Sequence, residues 1–225
     1  MADVAVNDEN RRSDSELATG VIESTSVIKQ YLPRNEDVLE VGCGYGYFTS
    51  ILIESKNRVT AIDISKPAID YCLDKYSGKA QFHAADIIGF STDRKFNSAL
   101  IVNVLDQIQD DTGALRKIRS LLMPGGRLIL GTPISKMRYI KASVHRYSED
   151  ELRKKIFDCG FVVEKTIYAG GTLTTFAKFL SDKFRFPKWL LRALRALPFY
   201  RGVVEFDAKA GLRKDAIVMI CKNPA

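Results

Sequence analysis

DVLEVGCGYGYFTSILIESKNRVTAID, residues 37–63, holds a β-branched run, three glycines at alternate positions, a helical pattern and a second β-branched run. The first run, 37–41, carries Glu40 near its end and meets Gly42, Gly44 and Gly46, after which helical spacing begins near Phe48. That order predicts a strand, a tight turn and a helix. Glycines suit such a turn because its dihedrals forbid a Cβ and because a ligand must approach the backbone closely. The second run, 58–63, ends on Asp63. In an open α/β sheet ligands bind at the carboxyl ends of the strands, where an acid can accept both hydroxyls of a ribose.

Two phosphate-binding alternatives are excluded by this spacing. The dinucleotide fingerprint needs a glycine where Tyr47 stands, and a P-loop needs a Gly-Lys-Ser/Thr ending that the turn lacks. Outward from the turn the alternation continues. Ser65 caps a helix with Pro67 in its first turn that runs to about Tyr76, and a strand at 81–84 precedes Asp86. Residues 98–104 read as a buried strand, and helix 111–122 stops at Met123-Pro124-Gly125-Gly126 before a strand at 127–132. Ser148 and Glu151 form a capping box for helix 149–159, which Gly160 closes. Strands near 161–168 and 216–221 bring the number to seven. Such alternation predicts an α/β domain with a parallel sheet covered on both faces.

Glu40-x-Gly42-x-Gly44-x-Gly46, with Leu122-Met123-Pro124-Gly125-Gly126 set between two strands, resembles the class I S-adenosylmethionine-dependent methyltransferases. The resemblance covers roughly 27–168 and the last strand. It implies a seven-stranded Rossmann-like methyltransferase sheet with helices on both faces, its last strand antiparallel, and a helical insertion between strands six and seven. It also implies S-adenosyl-L-methionine as cofactor, bound by Gly42, Gly44 and Gly46. Glu40 would orient the turn or reach the methionine amino group. Asp63 and Ile64 would stand at the ribose, Asp86 and Ile87 at the adenine, and Asn103 at the methionine end.

Residues 145–148, HRYS, match part of the H-x-R-R-Y pattern of a subgroup that methylates small or lipid-linked molecules. His145 is the predicted catalytic base, the residue type suited to proton transfer near neutral pH. A structural histidine bonded to a backbone carbonyl is the alternative. Two positions depart from the family. Gln107 stands where many relatives carry histidine and, as an amide, takes no proton; Asn97 stands where many carry an acid. Asp106 reads as a base, as a helix-entry cap or as a solvated acid.

The net charge of +7 is local. Residues 183–214 hold nine Lys/Arg against two acids, and the remaining 25 basic and 25 acidic side chains balance. Leu190, Leu191, Leu194 and Leu197 share one helical face, Lys188, Arg192 and Arg195 another. A basic amphipathic segment of that kind is expected to lie at an interface, here a lid over the acceptor or a contact with an anionic membrane surface. The expected organisation is a disordered tail over 1–14, then one methyltransferase domain over 15–225 that starts with a helix ending before Pro33 and includes the insertion 169–214. No run reaches the ~20 apolar residues of a membrane span. Cys43, Cys72, Cys159 and Cys221 form no C-x-x-C pair and read as reduced thiols, so a cytoplasmic protein, peripheral to a membrane at most, is expected. No metal site is expected.

These features point to methylation, foremost on oxygen, of a small and lipophilic or lipid-linked acceptor. The alternatives are an RNA methyltransferase, disfavoured by the absence of an appended RNA-binding motif, and a non-catalytic S-adenosylmethionine-binding regulator.

Overall fold

The computed structural model describes residues 25, 27–134, 143–169 and 216–224. The tail expected over 1–14, most of the helix expected ahead of Pro33, and the insertion from 170 to 214 lie outside the described residues. Among the described residues no helix is long and apolar enough to cross a membrane.

Seven strands form one sheet: β1 (Asp37–Val41), β2 (Arg58–Asp63), β3 (Gln81–Ala84), β4 (Phe96–Val102), β5 (Leu122–Pro133), β6 (Val162–Ala169) and β7 (Ala216–Lys222). Their spatial order is β3-β2-β1-β4-β5-β7-β6. β7 runs antiparallel to both β5 and β6, whereas β1 pairs in parallel with β2 and β4. Among the described residues, helices α1 (Tyr47–Glu54), α2 (Lys66–Lys75), α3 (Asp111–Leu121) and α4 (Glu149–Asp158) flank them.

The β-branched runs become central strands because both faces of the sheet are covered, so each side chain along them finds an apolar partner. On one face Leu52 of α1 and Ile69 and Cys72 of α2 pack with Val38, Leu100 and Ile129. On the other Leu115 and Ile118 of α3 and Leu152 and Ile156 of α4 pack with Leu39, Ile101 and Leu130. Truncating a fully buried leucine in such a core costs about 2–5 kcal/mol.

Helix starts follow local chemistry. The Ser65 hydroxyl accepts the Ala68 amide ahead of Pro67, and Ser148 and Glu151 make the reciprocal capping box. Both ends of β4, Phe96 and Val102 in place of 98 and 104, and the start of β5 differ from the sequence expectation by two residues or more. β4 stops at Val102 because Asn103 takes a left-handed φ of 56° that swings the chain out of the sheet. β5 starts at Leu122 because that residue already pairs with Phe96, and the Pro-Gly-Gly turn is absorbed as a register shift. Asn97 serves the strand start, its Oδ1 accepting the Asp37 amide at 3.0 Å.

The sheet reverses its winding between β1 and β4. Connections from the two strands leave in opposite directions, and it is at such a switch point that open α/β sheets bind ligands. The three glycines lie there.

Candidate active site

Each glycine of the turn meets a different demand. Gly42, at φ +73°, packs so tightly that a Cβ would stand 2.2 Å from Val104 Cγ2. Gly46, at φ +79°, would collide with Tyr76 Cε2 at 2.6 Å. Gly44, at φ +50°, would meet nothing within 4 Å. Its α-carbon faces open space, as a ligand-contacting position must.

The turn is braced from several sides. Gly44 N–H donates to Asp63 Oδ2 at 2.8 Å, while Asp63 Oδ1 accepts the Ser65 amide at 2.8 Å. From α2 the Cys72 thiol donates to the Gly44 carbonyl at 3.4 Å, and Tyr76 Oη donates to the Gly46 carbonyl at 3.2 Å. Glu40, only 3% exposed, accepts the Thr49 hydroxyl at 2.6 Å. Burial pushes its carboxyl up to about 8, against the hydrogen bond from Thr49. Of the two roles expected for Glu40, this geometry serves the orienting one, tying β1 to the first turn of α1. Nothing in the sequence around Thr49 signals that partnership.

The remaining predicted cofactor residues line the same carboxyl edge. An ionised carboxylate offers about four acceptor sites, so Asp63 keeps capacity beyond its two backbone bonds. Ile64 beside it is 79% exposed, an apolar surface at a strand tip. Asp86 is exposed, with Oδ1 accepting the Ile88 amide at 2.8 Å, while the Ile87 side chain packs into the core. Asn103 donates its amide to the Gly131 carbonyl at 2.8 Å, and its own carbonyl accepts Gln107 Nε2 at 2.6 Å. An open backbone approach, an acid with free acceptor capacity and an exposed apolar side chain together fit a nucleoside carrying an amino-acid tail.

His145 stands in the segment that leads into α4. Its Nε2 lies 3.1 Å from the Gln109 carbonyl and 3.8 Å from Asp111 Oδ2, and its ring stacks on Tyr147 at 6.0 Å. Tyr147, buried, donates to Asp111 Oδ2 at 2.5 Å, and Lys155 Nζ donates to Asp111 Oδ1 at 2.6 Å. Burial opposes the Asp111 charge, yet the bonds from Lys155 and Tyr147 hold its carboxyl below the usual range. Burial and the same carboxylate push the Tyr147 phenol up. Asp106 is buried as well. Its carbonyl accepts the amides of Val144 and His145, and Oδ2 accepts the Ser143 hydroxyl at 2.5 Å. His83 lies apart on β3, its ring tilted against Phe90.

A cavity of about 410 Å³ opens at the opposite edge of the sheet, near the starts of β4 and β5, lined by Lys95, Arg116, Arg119 and Leu122 among others. It shares no residue with the glycine turn.

A family described as a methyltransferase domain matches residues 32–178. Among curated proteins, the chain is 28% identical over 123 residues to malonyl-[acyl-carrier protein] O-methyltransferase of Acetivibrio thermocellus, covering 53% of this chain and 42% of that protein. It is 31% identical over 109 residues to the O-methyltransferase cnsE of Penicillium expansum, covering 45% and 40%. It is 32% identical over 103 residues to nodulation protein S of Sinorhizobium fredii, covering 44% and 48%. The chain thus spans less than half the length of these relatives. Among solved structures, the N-methyltransferase NodS of Bradyrhizobium japonicum with S-adenosyl-L-homocysteine shares the fold at TM-score 0.66 and 18% identity, covering 98% of this chain and 94% of that one.

Proposed function

We propose, from the premise that this chain belongs to the methyltransferase-domain family, that it transfers a methyl group from S-adenosylmethionine to an oxygen of a small, lipophilic or lipid-linked acceptor. The observation that carries this is the Asp63–Gly44 pair. It sets a carboxylate with spare acceptor capacity beside the one turn glycine that faces open space.

Bound there, S-adenosylmethionine supplies a methyl group already activated on its sulfonium. The protein's work is then positioning and proton removal. Asp63 and Gly44 hold the nucleoside, and Glu40 with Thr49 keeps the turn in place. His145 is the proposed proton acceptor. With Nε2–H donating to the Gln109 carbonyl, Nδ1 keeps its lone pair. Oxygen is favoured because two of the curated relatives above, 28% and 31% identical, are O-methyltransferases.

The segment 184–201, inside the stretch 183–214 that holds the whole net charge, is proposed, on its sequence alone, to touch an anionic membrane surface. Each Lys or Arg near such a surface is worth about 1 kcal/mol. Salt-sensitive co-sedimentation with anionic but not neutral vesicles is expected, and equal behaviour of a Lys188/Arg192/Arg195→Glu variant would remove that part of the proposal.

The test of the activity is incubation of labelled cofactor with extract. Label in the organic-soluble small-molecule fraction is expected. Label in RNA would replace this reading with the nucleic-acid one, and a wild-type protein that binds no cofactor in calorimetry would end it.

A further inference from the structure

Among the described residues two buried side-chain oxygens have no hydrogen-bond partner, Asp106 Oδ1 and Thr132 Oγ1. Their residues are 1% and 0% exposed. Both sit at the ligand-binding edge, Asp106 in the turn Leu105–Gln107 after β4 and Thr132 next to the end of β5. Buried polar atoms are almost always satisfied by protein or ordered water, so an orphan at the edge where α/β sheets bind ligands asks for a partner.

The other acceptors of Asp106 are engaged. Ser143 holds Oδ2, and the backbone amides of Val144 and His145 hold its carbonyl. The side chain is therefore fixed, with one oxygen left over. Two residues earlier, Val104 closes on Gly42. One short turn thus touches the glycine turn through Val104 and the His145 segment through Asp106. Thr132 lies on the same side of the sheet. Leu128 and Leu130, which share its alternation on β5, pack in the cluster that contains Leu105 and Tyr147.

We propose that Asp106 contacts the methyl acceptor itself and selects acceptors that present an O–H or N–H over those that present a free carboxylate. The inference rests on the methyltransferase reading above. An acceptor hydroxyl or amine donates to Asp106 Oδ1. A carboxylate acceptor would instead set two acids side by side, and among the described residues Lys155 is already paired with Asp111 at 2.6 Å.

The test uses labelled S-adenosylmethionine, the full chain and a small-molecule extract of the source cells. Mild alkali releases methanol from methyl esters but leaves methyl ethers and methylamines intact. Alkali-stable label is expected. Asp106→Asn keeps the size of the side chain and an acceptor for Ser143; it should lower labelling of that product at least tenfold, while calorimetric affinity for S-adenosylhomocysteine and the melting temperature stay near wild type. Asp106→Glu, which keeps a carboxylate, should recover part of the loss. A merely structural role would move cofactor affinity and melting together with turnover. Alkali-labile label, or undiminished labelling by Asp106→Asn, overturns the inference and leaves the methyltransferase reading standing. A wild type that binds no S-adenosylhomocysteine overturns both.

Discussion

Asp63 accepts the backbone amide of Gly44 at 2.8 Å across nineteen residues of sequence, so the acid at the tip of β2 also shapes the turn at the tip of β1. One side chain therefore braces the turn and, in the proposed function, keeps further lone pairs for the ligand.

Replacing Asp63 with alanine should weaken S-adenosylmethionine and S-adenosylhomocysteine alike. Charge-assisted hydrogen bonds are worth about 1.5–3 kcal/mol, which corresponds to roughly ten- to a hundredfold in affinity. Titration calorimetry of both ligands measures the loss, and an unchanged affinity would dissociate Asp63 from the cofactor.

Gly44 and Gly46 should separate binding from stability. A methyl at Gly44 meets no protein atom and intrudes only into ligand space, so Gly44→Ala should cost cofactor affinity, with only the roughly 1–2 kcal/mol of a left-handed residue lost in folding. At Gly46 the same methyl meets the Tyr76 ring at 2.6 Å, and overpacking of this kind adds about 1–3 kcal/mol to that strain. Urea unfolding and cofactor titration of the two variants should therefore rank them in opposite orders.

Glu40 should give the protein a stability that falls as pH rises. Its folded carboxyl is pushed up to about 8, well above the ordinary glutamate value of about 4.3. The folded state then binds more protons than the unfolded chain between those values. Its contribution is fully present below about pH 4.3 and is lost progressively up to about pH 8. Glu40→Gln, neutral and able to accept from Thr49, should flatten that slope and gain relative to wild type at pH 8 more than at pH 5. Urea melts of the cofactor-free protein at several pH values test this; parallel curves for the two proteins would contradict it.

His145→Ala should lower turnover by about 10²–10⁴-fold with cofactor affinity nearly intact, the range for a lost general base. Tyr147→Phe should act differently. It strips the phenol from buried Asp111, which costs about 1–3 kcal/mol of stability for an unsatisfied group. Full activity in His145→Ala would make the stacked imidazole a structural partner of Tyr147.

β1, β2 and β3 begin and end at the residues their sequence predicts, because their limits are local: a glycine turn after Val41, the capped Ser65–Pro67 start after Asp63, and the loop opened by Asp86 after Ala84. The capping box of Ser148 and Glu151 was legible for the same reason, since its two partners lie three residues apart. The three glycines and Asp63 were legible from spacing as a tight turn and a strand-tip acid, and the family resemblance supplied their expected place at a cofactor. The tertiary structure decided what the acids do. Asp106 reads in sequence as a base, a cap or a solvated acid, and only its bond to Ser143, 37 residues away, and the packing above it make it a buried carboxylate with one free oxygen. Glu40 becomes a brace because Thr49 and the sheet exclude water from it. Asp111 becomes the centre of a network because Tyr147 and Lys155, 36 and 44 residues on, converge upon it. Spacing along a chain determines local dihedrals and the face a side chain takes. The charge and reach of a carboxylate depend on which distant groups remove its water, and that is set only when the chain has closed.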